Sequence, residues 1–199
     1  MANVSLTARI LTCTLALALA CVARSLAAAP IQLTPSMTKT DLLSQATFAD
    51  GSIPFADLQS RRVPFVPFAS FRPHGWPVQV WVRFSLTGVS LEDAPSWYVM
   101  LPRWTESATL YRANYPAMRT SMYVPFSKRP VIGIDNPAFP LLERDDENGP
   151  LLLHLTYYPD TDLSLWLITE EGYAQQTEPT LLIEALFFGV LLAVGILNL

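Results

Sequence analysis

The clearest regularity in the chain is a strict two-residue alternation over 78–86. Val78, Val80, Val82, Phe84 and Leu86 fall on one side, and Gln79, Trp81, Arg83 and Ser85 fall on the other. Successive side chains of a strand point to opposite faces, so this pattern predicts a half-buried strand with a decorated outer face. Shorter apolar runs predict further strands at 96–101, 107–112, 151–157 and 163–169, separated by Pro, Asp, Asn and Gly. The last two are expected to pair across a short connection at 158–162, with Leu151, Leu153 and Leu155 facing the core alongside Leu163, Leu165 and Leu167. The 17 prolines fall between the apolar runs, where they would interrupt a helix or a central strand. A turn or two of helix is expected within 40–49, capped by Thr38 or Thr40. The expected fold class is therefore all-β, with two packed antiparallel sheets in a sandwich or jelly roll.

A different pattern takes over at the C-terminal end. Residues 181–199 are apolar apart from Glu184 early in the run and Asn198 near its end. A spanning helix needs about 20 mostly apolar residues, so this run predicts a transmembrane helix. Ten of the last eleven residues are apolar or Gly, with no polar face of the kind a soluble amphipathic helix shows. Glu170, Glu171 and Glu178 precede the run with no Lys or Arg nearby, which puts that flank on the non-cytoplasmic side. The preceding domain is then exported.

The N-terminal end fits export. Residues 1–9 carry one Arg, 10–23 are apolar and small, and Ala27, Ala28 and Ala29 offer a small-residue cleavage site. The expectation is a secretory signal peptide cleaved after Ala27 or Ala28. Two alternatives stay open: a lipoprotein signal, from the lipobox-like string ending at Cys21, and an uncleaved anchor, although Thr12 and Thr14 interrupt the apolar stretch. Cys13 and Cys21 both lie in this segment, so a processed chain would hold no cysteine and no disulfide framework. About 150 residues remain between the two apolar ends, enough for one domain with a normal core.

Charge narrows the partners. The chain has 13 basic and 17 acidic side chains; removing Arg9 and Arg24 with the signal segment leaves 11 against 17, a net charge of −6. That balance argues against nucleic acid or an anionic lipid surface as the main partner.

Several short strings occur in a telling order. Gly75-Trp76-Pro77-Val78-Gln79-Val80-Trp81-Val82-Arg83-Phe84-Ser85-Leu86 is followed by Trp97-Tyr98-Val99-Met100-Leu101, Ala108-Thr109-Leu110-Tyr111, Pro125-Phe126-Ser127-Lys128-Arg129-Pro130, Phe139-Pro140-Leu141 and Leu151-Leu152-Leu153-His154-Leu155. This ordered set resembles the type-two extracellular domain of bacterial seven-transmembrane receptors with diverse intracellular signalling modules, over about 41–173. Residues 188–193 and 197–199 are similar to the first transmembrane helix of the same receptors. The resemblance implies a periplasmic jelly-roll sensor that binds carbohydrate-like or other small ligands. In that family seven helices couple the sensor to a cytoplasmic output, commonly a diguanylate cyclase or histidine kinase module. This sequence departs from the pattern in carrying one helix and no output, so the expectation is a truncated receptor: a signal peptide at 1–28, a sensor at 29–175 and the first transmembrane helix at 181–199. A fragment, a truncated gene product and a short anchored protein remain alternatives.

A small polar ligand would be held by aromatic stacking together with Arg or amide hydrogen bonds. Gln79, Trp81 and Arg83 share the polar face of one strand and form the first candidate patch; an outward Trp and Arg more often simply cover a sheet. Arg103 and Trp104 follow Pro102 in an expected loop, where binding groups are often displayed. Trp166 is expected to face outward, and Trp97 to belong to the core or its border. In 125–130, Pro125 is expected to fix a corner, Phe126 to plug into the core and Arg129 to find a carboxylate.

Catalysis has little support. His74 and His154 are far apart and show no metal-ligand spacing, and nucleophile-elbow and phosphate-cradling strings are lacking. Glu143, Asp145, Asp146 and Glu147 are expected to form a solvated turn, a Ca²⁺ site being the weaker alternative for want of regular spacing. No enzyme activity, cofactor or metal is expected. The leading expectation is a ligand-sensing ectodomain in the periplasm, anchored in a bacterial inner membrane, with a homodimer left open. The alternative is a membrane-anchored structural or protein-interaction sandwich without a small ligand.

Overall fold

The structure is a computed structural model and describes residues 29–197 apart from 35, 60–62, 88–95, 143, 144, 146–148 and 160–162. The expected signal segment, its cleavage site and both cysteines lie outside the described residues. In chain order the elements are β1 (Ile31–Gln32), β2 (Lys39–Asp41), β3 (Thr47–Asp50), α1 (Phe55–Gln59), β4 (Val66–Pro67), β5 (Val78–Phe84), β6 (Leu86–Thr87), β7 (Trp97–Met100), β8 (Thr105–Arg112), β9 (Tyr115–Thr120), β10 (Ala138–Pro140), β11 (Leu151–Tyr157), β12 (Trp166–Thr169) and α2 (Glu170–Leu197).

Two antiparallel sheets carry the domain: a six-stranded sheet in the order β4-β3-β5-β11-β8-β9, and a four-stranded sheet in the order β10-β7-β12-β2. A short parallel pair, β1 with β6, stands beside them. The alternation over 78–86 folds as expected. Val78, Val80, Val82 and Phe84 of β5 are buried with Leu151, Leu153 and Leu155 of β11, and from the other sheet Trp97, Val99 and Leu167 meet them. Each such side chain contributes on the order of 1.5–3 kcal/mol by leaving water. This interior is all-β and sandwich-like, and Trp97 sits within it.

The expected pairing of the last two strands is corrected. β11 lies between β5 and β8, whereas β12 lies between β7 and β2 in the other sheet. Period two reports which face a residue takes, not which strand lies beside it. Leu151, Leu153, Leu155, Leu163, Leu165 and Leu167 all reach the same core, but across the sandwich instead of side by side. The expected helix in 40–49 shrinks to a single turn between β2 and β3, in which the Leu42 carbonyl accepts from the amides of Gln45 and Ala46. Its cap is Asp41, whose Oδ1 accepts from the Leu43 amide at 3.0 Å, not Thr38 or Thr40.

The outer face of the six-stranded sheet is covered. Phe55 and Leu58 of α1, with Ile53, Val63 and Phe65, pack on Ala49, Trp81, Tyr111 and Leu152. Gly51 makes this close approach possible, since a Cβ there would lie 2.3 Å from the backbone of Gln79 and Val80. On the outer face of the four-stranded sheet, Val131, Ile134 and Tyr173 pack against Met100, Ile168 and Trp166. Trp166 points outward as expected and lies half-buried beneath the Lys39 ammonium, 3.7 Å from its ring centroid.

Asp145 corrects the expectation of a solvated acidic turn. Its side chain is fully buried and accepts from Arg112 Nε at 3.0 and 3.1 Å and from the Leu142 amide at 2.8 Å. Arg112 also donates to the Pro140 carbonyl, so a side chain of β8 clasps β10 of the other sheet. Glu143, Asp146 and Glu147 lie outside the described residues. The 125–130 expectations are also corrected in part. A 3₁₀ turn at Phe126–Lys128 follows Pro125, but Phe126 is 43% exposed instead of buried. Arg129 donates to the backbone carbonyls of Met122, Val124 and Asp135 instead of to a carboxylate. In this loop guanidinium geometry suits converging carbonyls as well as it suits an acid.

α2 starts at the residue after β12, well before the apolar run. Its first turns are tied to the sandwich: Gly172 abuts the Thr38 carbonyl, the Asp135 amide donates to the Tyr173 hydroxyl at 2.9 Å, and Lys39 Nζ donates to Gln176 Oε1 at 2.7 Å. Beyond them Leu186, Phe188 and Leu192 project into solvent. By length and composition Glu170–Ile196 can cross a membrane.

Candidate ligand-binding site

Four strand ends of the six-stranded sheet meet at one edge. Tyr157, the last residue of β11, stands opposite Val78 at the start of β5 and Thr105 at the start of β8, and the Met122 amide after β9 donates to the Thr105 carbonyl. The residues just outside these ends are therefore brought together: Trp76 before β5, Trp104 before β8, Tyr158 after β11 and Tyr123 after β9. Three of them expose most or half of their surface, Trp76 at 65%, Tyr123 at 67% and Trp104 at 49%. The Trp76 ring meets Tyr158 edge-on, with centroids 6.1 Å apart, and the Tyr158 amide donates to the Trp104 carbonyl.

A bulge adds a carboxylate to this rim. Thr156 pairs with Ser107 but Tyr157 pairs with Thr105, so Glu106 is the extra residue on β8. A bulged residue leaves the ladder and its side chain is re-aimed. The Glu106 side chain comes up beside Tyr158, whose hydroxyl pKa is raised by desolvation first and then by Glu106 and Tyr123. Arg103 lies with its guanidinium 5.9 Å from the Trp104 ring centroid. On the adjoining outer face, the pairing Gln79–Thr156–Ser107 sets three polar side chains in a row, the outer two exposed. Aromatic faces next to a carboxylate and a row of amide and hydroxyl groups can stack a ring and bond its substituents.

The predicted patch divides on this geometry. Gln79, Arg103 and Trp104 are exposed at or beside the rim. Trp81 takes the expected outer face but is only 3% exposed: its Nε1 donates to the Ile53 carbonyl at 2.9 Å, and Phe55, Tyr111 and His154 surround its ring. Arg83 is half-buried over the Phe65 ring, 4.2 Å to the centroid, and burial lowers its pKa. Trp81 and Arg83 thus hold α1 and its flanks to the sheet. His154 lies in the same layer, its Nε2 3.1 Å from the Gly51 carbonyl; burial lowers its pKa, partly offset by that contact. Near the rim, His74 pairs with Asp50 at 3.4 Å, and Asp50 is held below the usual carboxylate range chiefly by the Ser52 amide.

Trp76, Glu106, Tyr123 and Tyr158 were not predicted as site residues. A weak signal existed in the sequence, since each aromatic of this group stands just outside a strand end, two of them next to a proline. Among the described residues no group of three His, Cys, Asp or Glu side chains is placed to hold a metal ion. No protein-family model matches the chain, and neither does any curated protein or solved structure.

Proposed function

We propose that the chain carries a ligand-sensing domain of the receptor type its sequence resembles, a jelly-roll module held at the periplasmic face of a bacterial inner membrane by α2. In this reading the domain binds and does not catalyse, and its ligand is a small carbohydrate-like molecule seated on the aromatic rim. The observation that carries the reading is the convergence of Trp76, Trp104, Tyr123 and Tyr158 from four separate strand ends, the first three exposed and the fourth half-buried beside a bulged carboxylate. Exposed aromatics scattered singly need no explanation, but a group gathered at one edge of a rigid sheet fits a stacking platform. α2 supports the anchored half of the reading by its length and its exposed apolar side chains.

The test is a titration of the full chain in detergent micelles with a panel of mono- and disaccharides, followed by tryptophan fluorescence. A saturable change that Trp76→Ala and Trp104→Ala each weaken by about tenfold is expected, because loss of one stacked ring is worth roughly 1–2 kcal/mol. A panel that gives no saturable change, or binding that both variants leave intact, refutes the proposal and favours a structural sandwich with protein partners.

A further inference from the structure

The rim holds a carboxylate, Glu106, that no basic side chain among the described residues neutralises. Glu106 Oε2 has essentially no solvent contact and no hydrogen-bond partner, and the one polar neighbour its carboxylate shows is the neutral Tyr158 hydroxyl, which carries no counter-charge. Among the described residues the ion pairs are His74–Asp50 and Arg112–Asp145, so no basic side chain serves Glu106. Withdrawing a carboxylate oxygen from water without a partner is costly, and such a group beside an exposed aromatic rim calls for an explanation. The bulge makes the placement specific, because it is Glu106 that leaves the ladder to stand beside Tyr158, whose ring meets Trp76.

The surrounding rings favour the same kind of partner. Indole and phenol faces carry the negative end of the ring quadrupole and attract cations, Trp most strongly. Trp104 already has the guanidinium of Arg103 near it, while Trp76 presents 65% of its surface with no cation near it in the described structure. A neutral sugar would use the ring faces and leave the carboxylate charge unmatched; a cationic nitrogen uses both. The formal net charge of −4 adds long-range attraction.

We infer that the ligand of the rim carries a cationic nitrogen, a protonated amine or a quaternary ammonium, which lies against Trp76 with Glu106 as its counter-charge. The inference rests on the reading of the rim as a ligand site and narrows the ligand class. An amino sugar and a simple quaternary amine share this chemistry, and the experiment separates them.

The full chain in detergent micelles is titrated with choline, glucosamine, glucose and N-acetylglucosamine, followed by tryptophan fluorescence. Glucosamine is expected to bind at least about tenfold more tightly than glucose or its N-acetyl derivative. Choline binding as tightly as glucosamine identifies the ammonium alone as the determinant, and glucosamine binding without choline identifies an amino sugar. Glu106→Gln should abolish the preference for the amines, while Glu106→Asp, which keeps the charge, should retain it. Equal binding of glucose and glucosamine overturns the inference and leaves the rim as a neutral-sugar site. No saturable response to either amine also overturns it, whatever the neutral sugars do. Binding of every probe that Trp76→Ala leaves unchanged overturns both this inference and the rim itself.

Discussion

Asp145→Ala strips the counter-charge from Arg112 at a point where both side chains are shut off from water. The pair is well made, with Arg112 Nε 3.0 and 3.1 Å from the two carboxylate oxygens and the Leu142 amide on one of them. Removing one partner of a buried pair leaves an uncompensated charge and costs about 3–5 kcal/mol. For a domain of this size one kcal/mol shifts Tm by roughly 2–4 °C, so the variant should melt about 6–20 °C below the parent. Arg112 also donates to the Met118 sulfur of β9 and to the Pro140 carbonyl of β10 in the opposite sheet, so the loss should loosen β9 and β10 together. The assay is thermal melting of the full chain in detergent micelles, read by near-ultraviolet circular dichroism. The double variant Arg112→Met with Asp145→Leu is the control, because it removes both charges and fills the space; it should melt above Asp145→Ala. An Asp145→Ala melt within about 2 °C of the parent, or a double variant as low as the two singles added together, would refute the reasoning.

Three further outcomes are expected. Burial lowers the His154 pKa in the folded state, so the unfolded chain takes up a proton first as pH falls through about 6.5; stability should drop below that pH and be level above it, and His154→Gln should lessen the drop. A parent Tm that stays level from neutral pH into the acid range would contradict this. Gly51→Ala should cost about 1–3 kcal/mol in denaturant unfolding, because its Cβ meets the backbone of β5 and not a yielding side chain; an unchanged midpoint would show that the α1 layer slides freely. Lys39→Met should remove the cation over Trp166 and the bond to Gln176, at about 0.5–1 kcal/mol, and hydrogen exchange should quicken in the first turns of α2 while β5 and β11 keep their protection.

The face of each strong strand was legible in the sequence because alternation follows directly from backbone geometry. β11 came out at the expected limits, and β5, β7 and β8 within two residues of them. Partners were not legible, and the last two strands went to different sheets although both sent their leucines inward. The strands β1 to β4 and β10 carry too few residues for a period to show, and β9, six residues long, is an edge strand exposed over most of its length and so has no apolar alternation to show. Trp81 was placed on the correct face but its cover was missed, because α1 is a five-residue helix with no room for a helical repeat. Asp145 sits in an acidic string that looks solvated until Arg112, 33 positions earlier, is brought to it by the fold. The rim was half seen. Arg103 and Trp104 are adjacent in sequence, whereas Trp76, Glu106 and Tyr158 join them only through strand register and a one-residue bulge.

β12 ends at Thr169 and α2 begins at Glu170, with the first helical turns fastened to Thr38, Lys39 and Asp135. Such a joint has no swivel. Each residue of a helix advances 1.5 Å and turns through about 100°, so the azimuth of the opening turns of α2 is indexed to the sandwich like teeth on a geared shaft, as far as Pro179, which has no N–H to give the helix ladder. A tilt or roll of the domain is carried into those opening turns, and a single residue spliced in after Thr169 would swing them by more than a quarter turn and pull Gly172, Tyr173 and Gln176 away from Thr38, Asp135 and Lys39.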